Sequence, residues 1–165
     1  MSDPYRLPRA VVPSRYDLML TPDLVAATFA GEETITVTVH TATQEVVLNA
    51  VDLQVGAVAA TDGRGRTLGG SVGLRPEHDR AQFTFPEPLQ PGVWRLRLTF
   101  TGVLNDKLRG FYRSRYVDAN EAEHVLAATQ FEATDARRAF PCWDDPAFKA
   151  VFAVSVVVDE KLAAV

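Results

Sequence analysis

Residues 94–100 read Trp-Arg-Leu-Arg-Leu-Thr-Phe, so that apolar side chains alternate strictly with polar ones. A period of two is typical of a β-strand with one face in the core and the other in water. The same alternation recurs in residues 16–20, 34–39 and 83–85. The predicted core residues on these strands are Tyr16, Leu18, Leu20, Ile35, Val37, Val39, Phe83, Phe85, Trp94, Leu96, Leu98 and Phe100. Residues 46–48 and 151–158 are more continuously apolar, which predicts strands covered on both faces.

Turn-forming residues separate these strands. Gly and Pro punctuate the chain at residues 21–23, 62–65, 76–77, 86–88 and 90–92. Many short strands divided in this way predict an all-β fold, an antiparallel β-sandwich or saddle. Because the chain has no repeat or linker, we expect one domain over residues 1–165.

Helical pattern is confined to two short turns. Thr134 or Asp135 is placed to cap a turn that Pro141 would end, because the residue before a proline avoids the α region. Asp144 or Asp145 is placed to cap a second turn, with Pro146 at its first position.

Composition and charge exclude several classes of protein. The 165 residues are 47% hydrophobic and 23% charged, which is typical of a soluble globular chain. A net charge of -4 gives no basic surface for nucleic acid. The first residues lack the apolar core of a signal peptide, and residues 151–158 are too short to span a membrane. With Cys142 as its single cysteine, the chain is expected to be cytoplasmic, with no membrane partner.

The sequence contains no pattern for a metal site or a catalytic nucleophile. The zinc-protease motif His-Glu-x-x-His is absent, and His40, His78 and His124 lie far apart. Cys142 has no Cys or His at ligand spacing and is interpreted as a small buried apolar residue. We therefore expect no metal ligand and no catalytic residue in this chain.

Residues 129–150 form a dense block of polar, charged and aromatic residues between two apolar stretches. Gln130 and Glu132 lie two positions apart, so on an extended backbone their side chains would project to the same side. A carboxylate beside an amide suits a protonated amine. In the alternative interpretation, Glu132 pairs with Arg137 or Arg138 and Gln130 bonds to loop backbone. The residues alone leave both open.

Five blocks carry a family resemblance that runs in order along almost the whole chain: residues 7–8 with 13–18, 29–32 with 35–37, 47–50 with 52–53, 102–106 with 108–114, and 129–150. They resemble the N-terminal part of the zinc aminopeptidases of the aminopeptidase N type, the gluzincin family that includes puromycin-sensitive aminopeptidase. The block at 129–150 is the most specific of the five. In those enzymes it supplies part of the substrate site from the non-catalytic N-terminal domain.

The resemblance implies roles for two residues. Glu132 matches the glutamate that binds the free α-amino group of the substrate, and Gln130 matches the glutamine that lines the pocket for the first side chain. The leukotriene-hydrolase branch has Gln where this chain has Glu132, which favours an ordinary aminopeptidase. Peptides with a free N-terminus are the implied substrates. The implied zinc would be bound by a catalytic domain that this chain lacks and against which it would pack.

Four further charged residues in the block resemble framework residues that fix the loop by ion pairs: Arg137, Arg138, Asp144 and Asp145. Many members have Asp-Glu-Pro where this chain has Asp-Asp-Pro at residues 144–146, so one carboxylate is shorter by a methylene. The last residues resemble a stretch that continues in the family. We therefore expect the chain to be a fragment that is inactive on its own.

Two other functions compete with an aminopeptidase. The first is a non-catalytic member of the same family, in which the domain serves as an interaction scaffold. The second is a free-standing β-sandwich module for carbohydrate, which would need an exposed aromatic platform. Trp94 and Trp143 are expected to pack inside instead.

Overall fold

A computed structural model describes residues 6–165, and strands dominate that part of the chain. The strands are β1 Val11–Asp23, β2 Thr28–Val39, β3 Thr43–Asn49, β4 Leu53–Asp62, β5 Thr67–Arg75, β6 Arg80–Leu89, β7 Gly92–Val103, β8 Gly110–Val117, β9 Glu123–Gln130 and β10 Val151–Val156. Two 3-10 turns, Pro76–His78 and Ala136–Arg138, complete the regular elements. The all-β class is confirmed.

Eight of the strands form one sheet in the order β10-β1-β2-β7-β4-β5-β6-β3. Strands β8 and β9 pair separately as an antiparallel hairpin. Every neighbouring pair of the large sheet is antiparallel except β1 and β10, which run parallel. The sheet is therefore mixed. Residues 131–150 form the connection from the hairpin to β10, the strand that lies beside β1.

The core lies on one face of this curled sheet, where the alternation predicted it. All twelve predicted core residues are buried, and they belong to one continuous apolar cluster. Their polar neighbours on β2 and β7 face the other side, as the period of two requires. The cluster reaches into residues 139–143, so the block singled out in the sequence is anchored in the core.

Strand β10 departs from the prediction for residues 151–158. We expected both faces to be covered, but the strand lies at the edge of the sheet and most of its side chains are exposed. Residues 46–48 in β3 come closer, since Val46 and Leu48 are buried and Val47 is half-buried. A continuous apolar run therefore indicated a strand in both places. It did not indicate whether the rest of the chain would bury both faces of that strand.

Two predicted turns are wrong, and three are confirmed. Residues 21–23 continue β1, and residues 86–88 lie within β6. The prolines at 86 and 88 are tolerated because residues 85–88 of β6 are paired in register with neither β3 nor β5. Residues 62–65, 76–77 and 90–92 lie at the ends of strands, where the chain reverses.

Candidate functional site

Gln130 and Glu132 lie on either side of an apolar anchor. Gln130 is the last residue of β9 and pairs with Gly110 of β8. Between the two polar residues, Phe131 is half-buried and meets the ring of Phe140 edge-on at 5.9 Å. The side chains of Gln130 and Glu132 are exposed, and the peptide bond from Glu132 to Ala133 is cis. The fold thus presents both polar groups to solvent from a backbone fixed at the residue between them.

Arg137 joins the block to two distant parts of the chain. Its Nε donates to Oδ2 of Asp144 at 2.8 Å, and its Nη2 donates to the backbone oxygen of Asp144 at 3.2 Å. Its Nη1 lies 3.5 Å from Oδ2 of Asp79, which follows the first 3-10 turn. Its backbone oxygen accepts from the N–H of Val51. The predicted framework role of Arg137 and Asp144 is confirmed.

Arg138 is held in the same manner by two other carboxylates. Its Nε donates to Oδ1 of Asp135 at 2.8 Å, and its Nη1 donates to Oδ2 of Asp52. Asp135 precedes the second 3-10 turn but makes no side-chain cap, because its carboxylate binds this guanidinium instead. The predicted capping turn is therefore present without the predicted cap.

The carboxylate of Glu132 has no partner within residues 6–165, and neither has the amide of Gln130. Both nearby guanidinium groups bind other carboxylates: Asp144 and Asp79 for Arg137, and Asp135 and Asp52 for Arg138. The alternative in which Glu132 pairs with Arg137 or Arg138 is therefore wrong. The exposed carboxylate of Glu132 can accept charge-assisted hydrogen bonds, and the exposed amide of Gln130, two positions earlier, can both donate and accept.

Asn49, at the end of β3, ties the block to the large sheet. Its backbone N–H and oxygen exchange hydrogen bonds with Cys142 at 2.8 and 3.0 Å. Its side-chain oxygen accepts from the N–H of Asp144 at 3.3 Å, and its Nδ2 donates to the backbone oxygen of Asp79. Sequence analysis assigned no role to this residue. The available signal was a polar residue directly after the apolar run 46–48.

Tyr16 of β1 contacts the block at Trp143 and Phe140. Burial raises the pKa of its phenol, and the protonated hydroxyl accepts a hydrogen bond from the N–H of Trp143 at 3.1 Å. Its ring stacks on Phe152 at 4.6 Å and meets Phe140 edge-on at 6.2 Å. Because Phe140 also contacts Phe131, an aromatic chain leads from the core to the residue between Gln130 and Glu132.

Gly110 is a second residue that sequence analysis assigned no role. It adopts a φ of +68° and lies opposite Gln130 in the hairpin. A Cβ at this position would come within 2.5 Å of Cβ of Arg138 and 3.4 Å of the backbone oxygen of Asp135. Only glycine therefore lets β8 approach the 3-10 turn so closely.

Asp145 stabilises its turn without an ion pair. Its Oδ1 accepts the N–H of Ala147 at 2.8 Å, which confirms the predicted cap ahead of Pro146. Within the described residues it binds no Arg or Lys, so the framework prediction of an ion pair is wrong for this residue. The shorter side chain of Asp is sufficient for this local contact.

The remaining candidates are structural. Cys142 is a buried free thiol whose pKa is raised by burial, in agreement with the predicted apolar role. Trp94 and Trp143 are both buried, as expected. Nε2 of His124 lies 2.9 Å from Oδ2 of Asp118. The backbone N–H of His40 donates to the backbone oxygen of Ala10.

Residues 6–165 contain neither a cluster of metal ligands nor a membrane-spanning helix. No three side chains of His, Cys, Asp or Glu converge in a way that would hold a metal ion. No helix in that part of the chain has the length and the apolar composition that crossing a membrane requires.

Comparisons with known proteins agree with the resemblance in the sequence. The family model described as the peptidase M1 N-terminal domain matches residues 12–165. Aminopeptidase M1 of Arabidopsis thaliana is 45% identical over 163 residues, which cover 96% of this chain and 18% of that relative. Puromycin-sensitive aminopeptidase of Caenorhabditis elegans is 40% identical over 163 residues, covering 96% and 17%. Endoplasmic reticulum aminopeptidase 1 of Homo sapiens is 35% identical over 155 residues, covering 92% and 16%.

The chain therefore spans less than one-fifth of the length of these three relatives. The family match nevertheless covers almost all of the chain, and it falls on the strands and on the block that carries Gln130 and Glu132. This chain belongs to the peptidase M1 family, where it matches the N-terminal domain.

Proposed function

We propose that this chain acts as the N-terminal domain of a longer zinc aminopeptidase that removes residues one at a time from the N-terminus of peptides. In this proposal Glu132 binds the α-ammonium group of the substrate, and Gln130 contacts the first side chain. The observation that carries it is the exposed carboxylate of Glu132, which has no partner within residues 6–165 while both neighbouring arginines are bound elsewhere.

The chemistry of this arrangement suits an ammonium group. A carboxylate accepts charge-assisted hydrogen bonds, which are shorter and stronger than neutral ones. Arg137 and Arg138 each bind two carboxylates, so neither neutralises Glu132 directly. The ion pairs of Arg137 and Arg138 hold the backbone of the block, so that little of it has to become ordered when a substrate binds. Pre-organisation of this kind favours affinity. An internal stretch of a longer peptide lacks the ammonium and would lose this contact.

Residues 6–165 contain no cluster of side chains suitable for binding a metal ion. We therefore assign no step of the reaction to a metal held by this chain. When bound in the rest of the longer protein, zinc would supply polarisation of the scissile carbonyl and an activated water. The contribution of this chain is to hold the N-terminus of the substrate at a fixed position.

The same proposal includes the location and the partner of the domain. We expect the longer protein to be cytoplasmic, in keeping with the free thiol of Cys142. We also expect this domain to pack against the catalytic domain, which would place Glu132 near the scissile bond. Residues 1–165 alone are expected to hydrolyse no peptide.

The test is Glu132→Ala in the full-length enzyme, assayed on a short peptide with a free amine. Losing a hydrogen bond to a charged group costs about 1.5–3 kcal/mol, so kcat/KM should fall by roughly ten- to more than a hundredfold. The matched control is Glu123→Ala, since Glu123 begins β9, the strand that precedes Glu132, and pairs with Arg115 at an exposed position. That variant should keep kcat/KM within about twofold, because exposed pairs contribute little.

Two results would contradict the proposal. An unchanged kcat/KM for Glu132→Ala, with zinc content and thermal stability equal to the wild type, would remove Glu132 from the site. An intact full-length protein without peptidase activity would favour the interaction scaffold instead. Glu132→Gln separates charge from size, and we expect it to lose most of the preference for a free amine over an N-acetylated peptide.

A further inference from the structure

The hairpin of β8 and β9 has one face against the core and the other towards solvent. Phe111 lies on the core face, where its ring meets the ring of Phe29 edge-on at 5.2 Å. Arg113 follows two positions later, and its Nη1 donates to the backbone oxygen of Leu24 at 3.4 Å. Because side chains alternate along a strand, the even-numbered residues of both strands project from the opposite face.

The solvent-facing side of the hairpin begins at Gln130 and continues away from it. Three cross-strand pairs follow on this face, and we call their side chains the hairpin strip: Tyr112 with Ala128, Ser114 with Leu126, and Tyr116 with His124. Tyr116 is 49% exposed and Leu126 is 36% exposed. The rings of Tyr116 and His124 stack at 5.1 Å, and the side chains nearest Gln130 are half-buried. Aromatic and aliphatic groups therefore extend from the candidate site along the hairpin.

Small residues separate the large ones along the hairpin strip. Ala128 lies opposite Tyr112, and Ser114 lies opposite Leu126. Successive pairs on one face are two residues, or about 7 Å, apart, which is also the spacing of alternate side chains in an extended peptide. A peptide lying extended along the strip would therefore present alternate side chains to the spaces beside Ala128 and Ser114.

Leu126 is the apolar centre of the strip. In the register it lies diagonally across from both Tyr112 and Tyr116, at a separation that aromatic side chains bridge. Tyrosine rings pack against apolar groups, and their hydroxyls can bond to a peptide backbone. The composition of the strip thus suits a polypeptide with apolar side chains.

We propose that the hairpin strip binds the part of a peptide substrate that follows its N-terminal residue, and that it favours an apolar side chain at about the fifth residue. This inference rests on the proposed function, in which Gln130 and Glu132 hold the N-terminal residue. A peptide is the occupant because the strip and Gln130 share one face of β9, and Glu132 follows Gln130 by two positions.

The length of β9 sets the position on the substrate. Leu126 precedes Gln130 by four residues, which is about 13 Å along a strand. An extended peptide must therefore continue about four residues past its first to reach Leu126. A dipeptide is too short for this contact, whereas an octapeptide covers the whole strip.

Substrates of different length test the strip in the full-length enzyme. The probes are an octapeptide with leucine as its fifth residue, the same octapeptide with aspartate there, and a dipeptide with the same first residue. We expect KM for the leucine octapeptide to be about tenfold lower than for the aspartate octapeptide, as burial of part of a leucine side chain provides. Equal KM values for the two octapeptides would overturn the proposal.

A pair of variants locates this preference on the hairpin. In Leu126→Asp, the ratio of kcat/KM for the leucine octapeptide to kcat/KM for the dipeptide should fall about tenfold. The control is Val117→Asp, because Val117 is 64% exposed and lies on the opposite face of the same hairpin. That variant should change the ratio by less than about twofold. An equal fall on both substrates in Leu126→Asp would show a structural role and contradict the strip.

An exchange of charge distinguishes binding from support of the fold. Leu126→Asp should prefer an octapeptide with lysine as its fourth, fifth or sixth residue over the leucine octapeptide, because the new carboxylate would attract the ammonium group. The wild type should show the opposite order. Failure of lysine at all three positions to reverse the preference would overturn the proposal.

The strip and the amine site can fail separately. Glu132→Ala should lower kcat/KM on the dipeptide and the octapeptide alike, because both carry a free amine. That result, with an unchanged ratio in Leu126→Asp, would support the amine site and reject the strip. A lower ratio in Leu126→Asp with normal turnover in Glu132→Ala would support the strip and reject Glu132 as the anchor.

Discussion

Nε of Arg137 lies 2.8 Å from Oδ2 of Asp144, and each side chain is only 14% exposed. The backbone N–H of Arg137 is directed at the same oxygen, and the guanidinium also reaches the backbone oxygen of Asp144. This relationship closes the block around its second 3-10 turn. A pair so poorly solvated leaves a costly charge behind when one partner is removed.

Asp144→Ala should therefore destabilise the domain markedly. The expected loss is about 1.5–3 kcal/mol, the usual range for a lost hydrogen bond to a charged group. Chemical denaturation monitored by tryptophan fluorescence measures it. Glu87→Ala is the control, because Glu87 binds Arg66 with the same short contacts but both side chains are 56% exposed. That variant should lose less than about 1 kcal/mol, and equal losses would show that burial of the Arg137 pair does not matter.

Gly110→Ala should disturb the candidate site through its backbone. A φ of +68° costs a non-glycine residue about 1–3 kcal/mol, and the added methyl would also collide with Arg138. Gly69→Ala is the control, because it lies in a strand with no atom within 4 Å of the new methyl and no positive φ. Unfolding midpoints measure the contrast. A Gly110→Ala protein as stable as Gly69→Ala would show that the approach of β8 to the turn is loose.

Glu33 is a buried acid with no partner among the described residues. It lies on the core face of β2 between Leu18 and Leu98, is 1% exposed, and neither carboxylate oxygen accepts a hydrogen bond. Burial raises its pKa well above the ordinary value. The folded state therefore keeps the proton, whereas the unfolded chain releases it above about pH 4.3.

The free energy of unfolding should consequently fall as pH rises. Below the unfolded pKa both states are protonated and the stability is fully present. Above it the unfolded state gains up to about 1.4 kcal/mol per pH unit until the raised pKa is reached. Denaturation of the wild type and Glu33→Gln between pH 4 and 8 isolates this effect, since their difference should grow with pH. Glu32→Gln, an exposed neighbour paired with Arg97, is the control. Parallel pH profiles for wild type and Glu33→Gln would contradict a buried protonated acid.

Cys142 should be chemically silent while the domain is folded. Its side chain is 3% exposed and burial raises its pKa, so the reactive thiolate is scarce and inaccessible. Titration with a thiol reagent at pH 8 should show no rapid reaction in the native protein and one equivalent in denaturant. Rapid native labelling would show that the bridge between Cys142 and Asn49 opens readily.

The strands and the buried face of each strand could be predicted because alternation is a local property of the sequence. The alternation of residues 35, 37 and 39, continued two positions towards the N-terminus, also places Glu33 on the core face. Its charge argued against burial, so its position escaped prediction. Sequence analysis likewise found Gln130 and Glu132, because they lie in the most specific block of the family resemblance.

Two of the carboxylate partners of Arg137 and Arg138 could not be predicted from the neighbouring sequence. Asp79 and Asp52 lie 58 and 86 residues away in the chain, and no spacing rule connects them with the block. Both occupy positive-φ positions at tight reversals, which only the path of the strands brings to the site.

The sequence by itself determined the β class, the core face of the strands, the family and the two candidate contacts, because periodicity and motifs are carried by neighbouring residues. The tertiary structure alone decided that Glu132 is left without an ion pair among residues 6–165, and that β10 lies parallel to β1 at an edge to which those residues add no further strand. Both depend on contacts between sequence-distant segments, whose geometry is fixed only when the sheet has assembled.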